Sequence, residues 1–259
     1  MEIDRYGADR VFVATSLGGE KVAPEPSALE RAGHPLMAWN LADEYELGGE
    51  FFKWEFATAV AGAVLAVNPF DEPNVAEAKA ATRSFISGED QLDTAAAVEI
   101  GDLILQVGGM DLPVTGDPEE IPGKFIEQLQ PGEYLGFLIY IPPEQRTARL
   151  LEGLRRDLGE QLQAATTLGY GPRYLHSTGQ LHKGGAANGR FIQITGESGG
   201  FDLAIPGRDY SFGQLYQAQT DGDYAVLQAK PRPVLRVTLK GDRFHALEAF
   251  RKLAGGQIG

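Results

Sequence analysis

Hydrophobic and polar positions along the chain follow two alternating periods. Short apolar runs rich in β-branched and aromatic residues, bounded by Gly, Pro or charged positions, predict strands over Arg10–Thr15, Leu36–Leu41, Asp102–Val107, Glu133–Ile141, Arg190–Thr195 and Pro233–Leu239. Between them lie segments of helical spacing: 27–32, from Leu47 to the Asn68-Pro69 break, Val75–Arg83, 118–129, 142–164, 211–228 and 243–253. The run Leu36–Leu41 is apolar enough for a strand buried on both faces, and the helix after it, with Phe51, Phe52, Trp54 and Phe56, has the composition to pack against a sheet. Strands joined through helices of about ten or more residues need crossover connections, so the pattern predicts an α/β fold of three-layer αβα sandwiches with mainly parallel sheets. The polar, periodless stretch 87–94 predicts a boundary between two lobes, 1–88 and 95–259. The order proline, buried strand, polar turn, aromatic-bearing helix, Ala-Gly occurs near both ends of the chain, a pattern-level echo of two related lobes.

One stretch fits neither period. Gly169 to Gly185 reads GYGPRYLHSTGQLHKGG, five glycines among Arg173, His176, Ser177, Thr178, Gln180, His182 and Lys183. Glycine lets a ligand approach the main chain, so this composition predicts a loop shaped around something polar or anionic; a plain connecting loop is the competing reading. It follows a candidate strand at 165–168, and ligands of open α/β sheets bind outside the carboxyl ends of strands. No metal site is expected, because His176 and His182 are spaced for neither one helical face nor a chelating turn and no carboxylate cluster accompanies them. The G-x-x-x-x-G-K-[ST] phosphate loop is absent.

The chain's 36 acidic and 23 basic residues give a formal charge of −13, which opposes non-specific attraction to nucleic acid or an anionic membrane and leaves small molecules or other protein chains as expected partners. With no cysteine there is no disulfide, thiolate nucleophile or thiolate metal ligand, which fits a reducing cytoplasm. The N-terminal decapeptide has no apolar core of a secretory signal, and the longest weakly polar run, Phe56 to Val67, is short of the roughly 20 residues that span a bilayer.

Two motifs carry a resemblance. The run AVNPFDEPNVAEAK resembles a phosphoglucose isomerase signature of the form N-P-F-D-Q-P-x-V…K, and Lys79 falls on its active-site lysine. YLHSTGQLHKGG is similar to an isomerase segment of the form L-H-S-x-G-Q, with His176 on the histidine of sugar ring opening. With GGEFFKWEFATAVAGAVLAVNPFD and GDLILQVGG, nearly the whole chain resembles the C-terminal part of the bacterial bifunctional transaldolase/phosphoglucose isomerases. The resemblance implies sugar-isomerase (SIS) domains, a hexose phosphate substrate and no cofactor. It implies His176 and Lys79 as catalytic residues, with Arg173, Ser177, Thr178, Gln180 and Lys183 shaping the substrate pocket. The lysine motif precedes the histidine motif, an order associated with the fusion proteins rather than ordinary phosphoglucose isomerases.

The departures from the family are equally specific. Neither the E-S-x-G-K motif of the base glutamate nor the S-x-S-G-T-T sugar-phosphate loop is present, and the transaldolase barrel is absent. The chain therefore reads as a fragment, a separately encoded subunit or a truncated gene product, whose isomerase activity is expected only with an upstream segment or a second subunit. Histidine suits ring opening because it titrates near neutrality, and lysine suits stabilising charge on sugar oxygens. The C–H step needs a carboxylate, for which Glu197, Glu50, Glu55 and Glu77 are the candidates within the chain. The other expectation is a non-catalytic sugar-phosphate-binding module or assembly subunit of SIS fold. Glucose against mannose phosphate is open on these grounds.

Overall fold

A computed structural model describes residues 3, 6–22, 25–71, 73–112, 116–197 and 202–255. The chain forms two compact units, Met1–Asp71 and Glu72–Gly259.

In the first unit, β1 (Phe12–Leu17) pairs in parallel with β2 (Leu36–Leu41) across α1 (Pro26–Arg31), and α2 (Glu46–Leu65) follows. Two strands form the whole described sheet of this unit. Such a sheet has too little area to cover a 20-residue helix, so α2 leaves Phe51, Phe52, Phe56 and Val64 more than 60% exposed, against the sheet packing its sequence predicts. β2 is likewise half exposed rather than buried on both faces. Parallel sheets normally have both faces covered, and this one does not. The helix ends at Ala66, which adopts the left-handed conformation, ahead of the Asn68-Pro69 break.

The second unit is the larger body. It runs α3 (Pro73–Ser87), β3 (Val98–Ile100), β4 (Leu103–Gly108), a 3-10 turn at Pro118–Glu120, α4 (Ile121–Glu127), β5 (Tyr134–Tyr140), α5 (Gln145–Leu162), β6 (Ala165–Tyr170), a 3-10 turn at Arg173–His176, α6 (Gly179–Gly184), β7 (Gly189–Gly196), α7 (Phe212–Ala229), β8 (Val234–Leu239) and α8 (Arg243–Gly255). The six strands lie in the order β3-β4-β8-β7-β5-β6. The four from β8 to β6 are parallel, while β4 and β3 add an antiparallel edge that the strand-helix pattern does not predict. Helices cover both faces, which makes the three-layer α/β sandwich expected from the sequence. Leu135, Phe137 and Ile139 of β5 pack with α4, α5 and α8 on one side, and Leu138 and Tyr140 pack with α7 on the other. This central strand carries no charged side chain, as burial on both faces requires.

The second face is unusually polar for a sheet interior. Gln106, Arg236 and Gln193 stand in register on β4, β8 and β7, all buried. Arg236 reaches Asp221 at 2.6 Å, and Gln193 donates to the Thr220 carbonyl at 3.0 Å. The boundary between units falls earlier than the polar stretch 87–94, because α3 belongs to the second body. It packs on α7, and Gly222 allows the approach, since a Cβ there would stand 3.2 Å from Ala81.

Candidate functional site

The order of the parallel strands sets where a ligand can sit. From β5 the chain crosses through α5 to β6 on one side, then returns past β5 to β7 and continues through α7 to β8 on the other side. Between the carboxyl ends of β5 and β7 the connections therefore diverge, the address at which open α/β sheets bind ligands. A cavity of about 1190 Å³ opens there. Its floor is Tyr140 and Ile141 at the end of β5, Tyr170 at the end of β6, and Thr195, Gly196 and Glu197 at the end of β7.

Charged groups enter from the loops and helix starts. Arg173 comes from the turn after β6 and Arg243 from the first residue of α8. Asp221 of α7 also lines the cavity, but its Oδ1 already accepts from Arg236 and from Gln217 at 2.9 Å. Burial pushes the Tyr216 hydroxyl up to about 12 against the opposing pull of Arg243. Burial also raises Tyr170, with Glu152 adding to it and Arg173 opposing. These cavity tyrosines are neutral hydrogen-bonding groups at any physiological pH.

Beneath the floor runs a hydrogen-bonded chain. The Tyr140 hydroxyl donates to Tyr174 at 3.3 Å, Tyr174 donates to the Asp223 carboxylate, and Asp223 pairs with Lys183 at 2.6 Å with both charged side chains at most 2% exposed. Burial first, and then the Asp223 charge, holds both tyrosines well above their ordinary range, so both keep their protons. Alongside, His182 and Tyr134 share a hydrogen bond of 2.8 Å, and burial lowers His182 to about 4, with Asp223 opposing and Lys183 assisting. Arg232 closes the region by donating to the Gly185 carbonyl at 2.7 Å.

The residues singled out from the sequence fall into separate groups. Arg173 lines the cavity. Lys183 does not; it is the cation of the buried pair. Lys79, on α3, and His176, at the end of the 3-10 turn, are exposed, and neither makes a side-chain hydrogen bond or ion pair among the described residues. Ser177 and Thr178 are exposed beside His176, with Ser177 bonded to the Tyr174 carbonyl at 3.3 Å. Of the candidate carboxylates, Glu197 lines the cavity, Glu77 pairs with Lys230 at 3.1 Å, Glu50 is buried against Lys53, and Glu55 is exposed.

The two motif-bearing segments meet. The Asn74 backbone N–H, at the start of α3, donates to Gln180 Oε1 at 3.2 Å across a sequence separation of 106 residues. A Cβ on Gly184 would collide with the Asn74 side-chain oxygen, so the approach requires glycine there. The Gly-rich stretch is accordingly not an open loop. It folds as a 3-10 turn and a short helix, held by α3 on one side and by the Lys183–Asp223 pair below.

Sequence reading missed Arg243, Asp221, Asp223 and Tyr140. For Asp223 a signal existed: Thr220, Asp223, Tyr224 and Leu227 form one buried stripe of α7, and a carboxylate inside such a stripe demands a buried partner. For Arg243 nothing local distinguishes it from a surface residue at a helix start.

Among the described residues no group of three or more His, Cys, Asp or Glu could hold a metal ion, and no helix is long and apolar enough to cross a membrane. No family model matches the chain, and no curated protein matches it. Among solved structures, the chain is similar to one titled as that of a hypothetical protein, TT0462 from Thermus thermophilus, with 15% identity and a TM-score of 0.46. That match covers 95% of this chain and 56% of the other, so the chain spans little more than half of that protein's length.

Proposed function

We propose that the chain is the C-terminal portion of a glucose-6-phosphate isomerase, interconverting glucose 6-phosphate and fructose 6-phosphate when an upstream segment or a second subunit supplies the base glutamate and the phosphate loop. The observation that carries this reading is the direct meeting of the two segments that resemble isomerase motifs, through the Asn74 to Gln180 hydrogen bond and the contact at Gly184. In this reading His176 opens the sugar ring and Lys79 supports it with hydrogen bonds and positive charge, tasks that suit an imidazole and an ammonium group. Both side chains are exposed, which suits residues that complete a site with groups from another segment. A missing general base costs about 10²- to 10⁴-fold in rate, so the chain alone is expected to be nearly inactive.

The test is an isomerase assay on the chain alone and after adding the upstream segment as a separate polypeptide. Restored turnover that is lost in Lys79→Ala and His176→Ala supports the reading. Turnover indifferent to both substitutions, or none in the supplemented mixture, overturns it. One observation favours a second reading: neither Lys79 nor His176 lines the cavity at the strand ends. A non-catalytic sugar-phosphate-binding module would bind hexose phosphate saturably there, without turnover even in the supplemented mixture.

A further inference from the structure

Helix α2 carries its apolar side chains where nothing among the described residues covers them. Every residue of it except Glu50 and Gly62 is exposed. A helix in water draws most of its stability from burying an apolar face, and α2 buries almost none. Its contact with the sheet lies on the side of Trp54, whose ring centroid is 6.1 Å from that of Trp39. Phe52, Phe56, Val60 and Val64, spaced four residues apart, form a ridge on a side of the helix turned well away from Trp54. These four are 69, 63, 47 and 79% exposed, and the Phe52 and Phe56 rings stack on each other with centroids 6.4 Å apart.

The relief of this ridge matches a second copy of itself. Ala57 and Ala61 occupy the neighbouring row on one flank, and Ala59 and Ala63 the row on the other, all exposed. A ridge of large side chains between two alanine grooves is the shape that the ridge of an identical facing helix fills. Charge fixes the direction of the pair. In the first half of α2, Glu46, Glu50 and Glu55 outweigh Lys53, whereas the stretch from Phe56 to Phe70 has no charged residue. A parallel pair would set the two acidic halves against each other; an antiparallel pair sets each against the neutral half of its partner and opposes the helix dipoles. About the middle of the ridge it also brings Phe52 opposite Val64 and Phe56 opposite Val60, large side chains against smaller ones. The ridge and its flanks leave on the order of 500 Å² in water on each copy, so a pair removes roughly 1,000 Å², about what a specific interface requires.

We propose that two copies of the chain associate through α2, packed antiparallel across a two-fold axis near the middle of the Phe52–Val64 ridge. The inference does not depend on the isomerase reading. A polypeptide from upstream that covers this helix is the competing occupant, and with it the chain alone has no dimer built on the ridge.

Sedimentation velocity of the full chain over a range of concentrations tests the proposal. A reversible dimer is expected, tightened by added salt, because each copy carries a formal charge of −13 whose repulsion salt screens. Phe56→Glu should weaken it about 100-fold, since the two-fold axis places the new charge in the interface twice. Phe51→Glu, on another side of the same helix and 62% exposed, should leave it unchanged. Equal melting temperatures of the two variants at high dilution separate lost association from lost folding. The chain has no cysteine, so single introduced thiols report the geometry. In the antiparallel pair the two copies of residue 60 lie about 6 Å apart along the helix axis and those of residue 49 about 27 Å apart. Val60→Cys should therefore be cross-linked by a short bismaleimide and Gly49→Cys should not, although a side chain at Gly49 meets nothing within 4 Å. If Phe56→Glu is destabilised, this contrast carries the test, because both thiol variants keep the ridge aromatics. A chain that stays monomeric at every concentration, open-ended aggregation, a dimer indifferent to Phe56→Glu or equally lost in Phe51→Glu, or cross-linking at position 49 rather than 60 would each overturn the proposal.

Discussion

Replacing one member of the Lys183–Asp223 pair is the most demanding test of the structure. The two side chains are 2% and 0% exposed with Nζ and Oδ1 2.6 Å apart, and Tyr174 gives the carboxylate a second donor. In Asp223→Leu the ammonium stays buried without its counter-charge, and in Lys183→Met the carboxylate does. Breaking a buried pair from one side costs about 3 to 5 kcal/mol. For a body of this size that corresponds to a fall in melting temperature of about 6 to 20 °C. The double variant Lys183→Met/Asp223→Leu removes both charges, and apolar replacement of a buried pair is often neutral. It should therefore be no worse than the weaker single variant, giving a coupling of several kcal/mol in a double-mutant cycle. The measurement is urea unfolding followed by far-UV circular dichroism, with a common slope across the four proteins. Single substitutions that each cost under about 1 kcal/mol and simply add would refute the buried pair, and would return Lys183 to the ligand pocket that its sequence context suggests.

Three further outcomes are expected. His182 is held near 4 in the folded protein by burial and titrates near 6.5 when unfolded, so its contribution to stability is complete above pH 6.5 and is lost as pH falls toward 4; thermal melting across that window should fall by the equivalent of about 3 kcal/mol and flatten in His182→Phe, and an unchanged slope would contradict the burial. Gly184→Ala should lower stability by about 1 to 3 kcal/mol by pushing α3 off α6, and hydrogen exchange at the start of α3 should quicken; equal protection in both proteins would argue against the contact with Asn74. A fragment beginning at Pro73 should fold cooperatively, whereas one beginning at Ala95 loses α3 and bares the Gly222 side of α7; a similar sharp transition in both would show that α3 contributes nothing to the second body.

Much of the fold is legible in the sequence because it rests on local period. The seven-residue apolar β5 and the leucine-studded α5 announce a central strand and a one-faced helix, and both fall within a few residues of their expected bounds. The antiparallel edge is not legible, because a three-residue strand such as β3 has no period to detect and direction depends on a partner far away in sequence. The lobe boundary is misplaced for a related reason: a polar stretch marks a flexible connection, but whether α3 belongs before or after it is decided by packing on α7. At the site, the glycines of 169–185 read as room for a polar ligand, yet at Gly184 what approaches is Asn74 of the same chain. Charged residues mislead most, since Lys183 and Arg243 differ in role only through what distant elements place beside them.

Both tryptophans of the chain, Trp39 and Trp54, lie in the first unit with ring centroids 6.1 Å apart. Indole emission is thus a reporter of that unit alone, while the second unit is spectroscopically a tyrosine protein. Comparing the two signals during heating would reveal directly whether the units melt in concert or in succession.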